Sequence, residues 1–285
     1  MSKLKIAIQK SGRLNEDSLN LLKDCGIKID NGKDQLKVTA RNFPMEILYL
    51  RNSDIPQYIE DGVVDIAIIG ENILIEKEKE TETVQKLGFA KCRVSLAVPK
   101  RIESNTADYF NGKKIATSYP NTLNTFLKKN DINAEIHVIS GSVEISPNIG
   151  LADGICDIVS SGSTLFKNGL RETQVILRSE AVLAKNINLD SEKEAILDKF
   201  LFRIKAVLRA KNSKYVLMNV PNDKIEEVSK ILPVLKSPTI MPLAQEGWSS
   251  LHSVIDEDKF WNSIDELKNA GAEGILIVPI DKMVL

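Results

Sequence analysis

Apolar residues along this chain fall into two alternating rhythms. Short runs at residues 4–9, 45–50, 65–69, 93–98, 114–117, 134–139 and 155–159 have the length and β-branched content of strands. Between them, apolar positions recur three and four apart, as on one face of a helix: Leu19, Leu22 and Cys25, then Leu123, Phe126 and Leu127. Turn chemistry separates the two rhythms. A helix beginning at Asn15 ends at Gly26, and a helix capped by Ser53 or Asp54, with Pro56 in its first turn, closes at Gly62. Gly70, Glu71 and Asn72 open the next helix, and residues 141–144 are expected to cap another. This alternation predicts an α/β fold, with residues 155–159 as a buried strand of a parallel sheet. A second lobe is expected to begin near residue 93, and a long strand at 175–183 to carry the chain back to the first. Ser191 and Glu194 form a capping box ahead of Leu197, Phe200, Leu201, Ile204, Val207 and Leu208, which predict an amphipathic helix.

After Asn212 the pattern changes. Strands are expected at 215–220, 238–243, 250–255 and 274–278, with helices at 223–232 and 256–270, the latter turning Phe260, Ile264 and Leu267 inward. The order βαββαβ matches the ferredoxin-like unit. No ionic or nucleophilic cluster stands out in it. That suggests regulation or assembly, with plain dimerisation as the blander reading.

Composition narrows the class. The chain has 285 residues, a formal charge of −1, 43% hydrophobic and 27% charged residues, a soluble globular balance sized for two or three domains. No net basicity points to nucleic acid, although a local patch stays open. Lys5 and Lys10 interrupt any apolar leader, and no run reaches membrane-spanning length, so a cytoplasmic location is expected. Cys25, Cys92 and Cys156 lie far apart and are odd in number, against a disulfide scaffold. With His137 and His252 the only histidines, a His-rich zinc site is improbable.

The candidate chemistry centres on residues 144–165. A strand carrying Asp157 opens into Ser160, Ser161, Gly162, Ser163 and Thr164, and a helix is expected from Leu165. Small hydroxyl residues and a glycine between strand and helix converge backbone N–H groups and hydroxyls on an anion. Caps and tight turns use the same residues. Lys10 and Arg13 follow the first strand at a helix start, where the dipole disfavours cations. They either face an anion or are solvated. Arg51 sits at a similar junction, facing either a ligand or Asp54 or Glu60. Tyr119 has an aromatic face on which a base could stack, or it packs as an ordinary surface tyrosine.

At Glu144, Gly150, Ala152, Ile155, Asp157, Ile158, Ser161, Gly162, Thr164 and Leu165 the sequence resembles the signature of the ATP phosphoribosyltransferase family, in its long form. Residues 9–14, 54–56, 62, 65, 70–72, 116–120 and 237–240 also match, so the resemblance spans essentially the whole chain. Cys156 precedes Asp157 where many other phosphoribosyltransferases carry a second acid.

The resemblance implies a two-lobed catalytic region like the periplasmic binding proteins and a C-terminal ACT-like domain. One lobe would be residues 1–92 with 180–212, the second 93–179, and the regulatory domain 213–285. It implies transfer of phosphoribosyl from phosphoribosyl pyrophosphate to N1 of the ATP adenine, with histidine as feedback inhibitor and active dimers exchanging with inhibited hexamers. By the same resemblance, Ser160, Ser161, Gly162, Ser163 and Thr164 would hold the 5′-phosphate. Asp157 would meet the ribose hydroxyls, with Glu144 as a second acid. Lys10, Arg13 and Arg51 would neutralise pyrophosphate or ATP phosphates, and Gly70 and Tyr119 would border the nucleotide. Mg2+ would bind mainly through pyrophosphate oxygens. Asn219, Thr239 and Gly274 are the candidate histidine contacts. Two rivals share these features: a two-lobed anion-binding protein without catalysis, and a phosphoribosyltransferase acting on another base.

Overall fold

The computed structural model describes residues 2–30, 36–232 and 237–284 and divides into two units, residues 1–197 and 198–285. In the first unit, β1 (Leu4–Gln9) leads through a glycine turn into α1 (Arg13–Asp24). Gly12 adopts φ 88° there. The helix starts two residues earlier than the periodicity suggests, and its inward stripe is Ser18, Leu21, Leu22 and then Cys25. Leu19 is left half-buried at the margin. Ser18 can lie inside because its hydroxyl donates to the Leu14 carbonyl at 2.6 Å.

There follow β2 (Lys37–Thr39), β3 (Met45–Leu50), α2 (Ile55–Glu60), β4 (Ile66–Gly70), α3 (Glu71–Lys77) and β5 (Thr81–Lys86). The chain then enters a second sheet with β6 (Cys92–Pro99), β7 (Lys114–Thr117), α4 (Pro120–Lys129), β8 (Glu135–Val138), β9 (Gly154–Val159), α5 (Ser163–Lys167) and β10 (Leu170–Ser179). It returns with β11 (Ala181–Asn186) and α6 (Ser191–Lys211). The first sheet has the order β2-β3-β1-β4-β11-β5 and the second β10-β6-β9-β7-β8.

Four expectations change. The strand expected at 175–183 is two strands broken at Glu180: β10 pairs with β6 in the second sheet, while β11 pairs with β4 and β5 in the first. Their sequences are continuously strand-like, so the apolar pattern cannot reveal that the sheet changes. Strand β9 is parallel to β7 but antiparallel to β6, so its sheet is mixed. The short run of residues 155–159 reads the same in either orientation, and Ile158 within it is 46% exposed rather than buried. Residues 141–144 cap no α-helix, only a single 3-10 turn at Val143–Ile145. Strands β2 and β5 escape the periodicity altogether. Both lie at sheet edges, where β5 carries Glu82 and Lys86, and charged edge strands resist pairing with other chains.

Two adjacent crossovers join the lobes. Residues 87–91 run beside residues 180 and 181: Leu87 N–H donates to the Ala181 carbonyl, Ala181 N–H to that of Phe89, and Gly88 N–H to the Glu180 carboxylate. In each lobe the carboxyl ends of the parallel strands, β1, β3 and β4 in one and β7 and β9 in the other, lead into loops that border the cleft. α/β sheets gather ligands at such ends.

The second unit takes in most of α6, then β12 (Ser213–Pro221), α7 (Ile225–Ile231), β13 (Thr239–Pro242), β14 (Trp248–Asp256), α8 (Glu257–Asn269) and β15 (Glu273–Pro279). Its antiparallel sheet has the order β13-β14-β12-β15. Val216, Met218, Val220, Leu251 and Ile255 line the inner face and pack on Val228, Phe260 and Leu267 of the two shorter helices. Asp256 caps α8 by accepting from Lys259 N–H, and Ile264 packs at the margin of the same core. Among the described residues no helix is long and apolar enough to cross a membrane.

Gly154, at the start of β9, gives a direct check on the second lobe's core. A Cβ there would lie 2.6 Å from Phe110 Cε1 and 2.7 Å from the Ala97 carbonyl oxygen. Gly154→Ala is expected to destabilise the chain by about 1–3 kcal/mol in urea unfolding, the range for overpacked cores. An unchanged midpoint and slope would contradict this packing.

Candidate active site

The cleft between the two lobes has a volume of about 510 Å³. The first lobe contributes Gln9, Arg13, Leu14, Asp17, Asn52, Gly70 and Asn72, the hinge Gly88 to Cys92, and the second lobe Tyr119, Ile158 and Ser160. A smaller cavity of about 280 Å³ holds Glu144, Asp157 and the whole loop from Ser160 to Thr164. Ile158 and Ser160 border both.

The loop of residues 160–164 leaves β9 with Gly162 at φ 81° and ψ −1°, a left-handed conformation that costs glycine little. No atom lies within 4 Å of the position a Cβ would take, so the requirement is conformational. Ser161 and Ser163 share a hydroxyl–hydroxyl contact at 3.1 Å. The helix α5 starts at Ser163, two residues before the expected Leu165, which puts Ser163 and Thr164 in its first turn.

The loop is held from behind. Arg93, opposite Val159 on the neighbouring strand, donates through Nη1 to the Ser160 carbonyl at 3.0 Å. Glu172 fixes that guanidinium through two oxygens, at 2.6 and 2.5 Å, and also accepts from the Ser95 hydroxyl at 2.7 Å. The Arg93 side chain holds the Glu172 carboxyl below the usual carboxylate range.

Asp157 has the opposite environment. Burial pushes its carboxyl above the usual range and the Glu144 charge adds to this, while the Ile158 N–H and the Ser118 hydroxyl oppose it. Ser118 Oγ donates to Asp157 Oδ1 at 3.3 Å. No cation pairs with Asp157 among the described residues. Cys156, just before it, is buried with its thiol pushed up by desolvation.

The structure brings Asp157, Glu144 and residues 160–164 together and sets Arg13 and Gly70 along the larger cleft. Lys10 and Arg51 are exposed and line neither cavity. Their backbones instead complete turns: Lys10 N–H donates to the Leu50 carbonyl, and the Arg51 carbonyl accepts from Asp54 N–H. Tyr119 borders the cleft but is 6% exposed, with its hydroxyl bound by Asn72 Nδ2 at 2.9 Å. Burial pushes that hydroxyl's pKa up. The ring packs in the second lobe's core beside Leu123 and Phe110, so little of its face is open to a base.

In the C-terminal unit, Asn219 and Gly274 are neighbours, with a Cβ on Gly274 only 3.3 Å from Asn219 Nδ2. Thr239 lies on β13 opposite His252, with β14 between it and β12.

The residues missed in the sequence are those whose roles depend on distant partners. Arg93 and Glu172 are 79 positions apart. Asn72 lies in a matched segment yet reaches Ser179, 107 positions away. Glu76 reaches Asn121 and Thr122 across 45 and 46 positions. No local signal marks Glu76, an ordinary glutamate one turn after Asn72 on the same helix. Asn52 borders the cleft with its side-chain oxygen buried and unpartnered.

The family described as ATP phosphoribosyltransferase matches residues 51–206, and the one described as HisG, C-terminal domain, matches residues 210–282. An ATP phosphoribosyltransferase of Cytophaga hutchinsonii is 57% identical over 281 residues, 99% of this chain and 98% of that protein. One from Bacteroides thetaiotaomicron is 57% identical over 282 residues, 99% of this chain and 100% of the relative. Among solved structures, the ATP phosphoribosyl transferase (HisG:HisZ) complex from Thermotoga maritima matches with a TM-score of 0.60 and 28% identity, covering 71% of this chain and 98% of that one. A histidine kinase sensor domain with similarity to periplasmic binding proteins matches with a TM-score of 0.50 and 9% identity, covering 73% of this chain and 91% of that one, a likeness of fold alone. With both family regions matched in order over nearly its full length, this chain belongs to the ATP phosphoribosyltransferase family, in the long form that carries the C-terminal domain.

Proposed function

We propose that the cleft of the first unit joins the ribose of phosphoribosyl pyrophosphate to N1 of the ATP adenine and releases pyrophosphate, the first step of histidine biosynthesis. The observation that carries this reading is Asp157, a largely buried carboxylate with no cation partner among the described residues, set beside a loop of hydroxyls. Ribose hydroxyls would donate to it, and the 5′-phosphate would accept from the Ser161, Ser163 and Thr164 hydroxyls and the backbone around Gly162. Arg13, on the opposite lobe, supports a place for ATP or pyrophosphate phosphates.

In this reading the adenine N1 lone pair forms a bond to ribose C1 as the bond from C1 to the pyrophosphate oxygen breaks. Attack from the face opposite the leaving group inverts that carbon. Positive charge builds on the ring between these events, and the nearby carboxylates of Asp157 and Glu144 stabilise it. No protein nucleophile is required. The protein supplies alignment of two bound substrates and a partly dry, charged environment.

A magnesium ion carried by the pyrophosphate fits the site's donor chemistry. Asp157 and Glu144 are close enough for one to raise the other's proton affinity, a repulsion a divalent cation relieves. Bound there, the ion would offset charge on the leaving pyrophosphate. Lys10 and Arg51, exposed beside the strand ends, would reach a phosphate only through movement of their side chains. Histidine inhibition and a dimer–hexamer equilibrium belong to the same reading, supported by the match of the C-terminal domain. Asn219 with Gly274, and Thr239 on the opposite edge, remain the proposed contacts for histidine.

Pyrophosphate release from phosphoribosyl pyrophosphate is expected to require ATP and to fall when histidine is added. Release unaffected by histidine would remove the effector proposal, and no release from folded protein would remove the catalytic one. Asp157→Asn is expected to lower kcat by roughly 100-fold, the scale of losing one preorganised electrostatic contact. The same variant should be at least as stable as wild type at pH 7. The folded-state pKa of Asp157 is raised, so ionisation destabilises the fold as pH climbs above the unfolded carboxyl value of about 3.9. Any gain in Tm should therefore shrink as the pH is lowered toward that value. A folded variant with wild-type turnover, or one less stable at pH 7 than at pH 4 relative to wild type, would contradict the assignment.

A further inference from the structure

We propose that Glu76 is a positioning residue: from the first lobe it caps a helix of the second, and so fixes the spacing across the cleft on which the transfer depends. The inference rests on the phosphoribosyl-transfer reading of that cleft. Glu76 lies on α3 and is 6% exposed, yet no cation pairs with it among the described residues. Its carboxylate instead accepts from Asn121 N–H at 2.9 Å, from Thr122 N–H at 2.9 Å and from the Thr122 hydroxyl at 2.7 Å. Those two amides belong to the first turn of α4, where helices leave N–H groups unpaired. Residue Tyr119, at the N-cap, supplies no side-chain bond. The cap comes from the other lobe.

A carboxylate suits that position twice over, because it can only accept and because a helix N-terminus favours negative charge. The Asn121 side chain answers by donating to the Glu76 carbonyl at 2.9 Å.

One turn earlier on α3, Asn72 makes the second half of the contact. Its amide donates to the Tyr119 hydroxyl, its side-chain oxygen accepts from the Ser179 hydroxyl, and its backbone N–H donates to the same Ser179 oxygen, each at 2.9 Å. Gly70 makes room for this arrangement: a Cβ there would lie 2.5 Å from Asn72 Oδ1.

The segment held this way is the one that flanks Asp157. Thr117 donates to the Cys156 carbonyl and accepts from Tyr119 N–H, and Ser118 donates to Asp157. Glu76 therefore ties the lobe bearing Arg13 and the 9–14 loop to the lobe bearing Asp157 and the hydroxyl loop, without facing either cavity.

Glu76→Gln is the test. It keeps the shape but turns a donor toward donors. Wild type is assayed first for pyrophosphate release with ATP, and failure there removes the transfer reading rather than this one. With wild type active, the Gln variant is expected to lose about 100-fold in kcat, the scale of an ångström-sized misplacement of reacting groups. ATP alone and phosphoribosyl pyrophosphate alone, measured by calorimetry, should each bind within about threefold of wild type, since each lobe keeps its own contacts. Hydrogen exchange should speed up at the amides of Asn121 and Thr122 while those of β7 and β9 stay protected. Unchanged kcat, or a raised KM with unchanged kcat, would overturn the proposal, as would a loss of protection across the whole lobe. If Gln prevents folding, Glu76→Asp and Thr122→Val weaken the cap without inverting it and are read the same way, a wild-type kcat in both refuting the role.

Discussion

The first unit depends on a polar seam buried between its lobes. Apolar packing is non-directional, and lobes held only by it can slide or rock at modest cost. The seam offers no such freedom. Glu76 and Asn72 on one helix make seven hydrogen bonds to six groups of the opposite lobe, its last strand included. A buried polar group that loses its partner costs about 1–3 kcal/mol, and more if it is charged. Changing the angle between the lobes would strand several groups at once. The spacing of the cleft walls is thereby coupled to the Glu76 hydrogen bonds, which lie outside the cleft.

Charge is distributed to match. On the second lobe, an arginine that could have faced a phosphate directly is committed to Glu172 and to the Ser160 carbonyl, so its charge stiffens the loop. Asp157, by contrast, has no cation partner among the described residues and is partly desolvated, with Glu144 adding repulsion. Such a carboxylate destabilises the resting protein and gains most when hydroxyl donors or developing positive charge arrive. Glu172 and Asp157 lie on the two strands that flank β6, the first neutralised behind the loop and the second strained beside it, which sets the loop's support apart from the proposed chemistry.

Much of this was legible in the sequence where the signal was local. The strand leading to Asp157, the glycine and hydroxyls after it, and the C-terminal βαββαβ order all follow from spacing and turn residues. What escaped reading was set by distant partners or by the sheet as a whole. Residues 175–183 read as one strand because nothing in an apolar run marks a change of sheet at Glu180. Tyr119 looked like an aromatic platform because its burial and its bond to Asn72 are tertiary facts. Lys10 and Arg51 sit at the expected strand ends, yet their side chains line neither cavity, since position in a loop does not fix direction. Glu76 was silent because a glutamate on a helix is ordinary until the opposite lobe is seen.

The central claim is that two substrates held by opposing lobes are joined between adenine N1 and ribose C1 with inversion. It is tested most directly by NMR of the product formed from phosphoribosyl pyrophosphate labelled with carbon-13 at ribose C1 and ATP labelled with nitrogen-15 at N1. A one-bond carbon–nitrogen coupling at N1, inverted configuration at that carbon and one pyrophosphate released per product are expected. Coupling to a different nitrogen, retained configuration, or pyrophosphate without coupled product would contradict it.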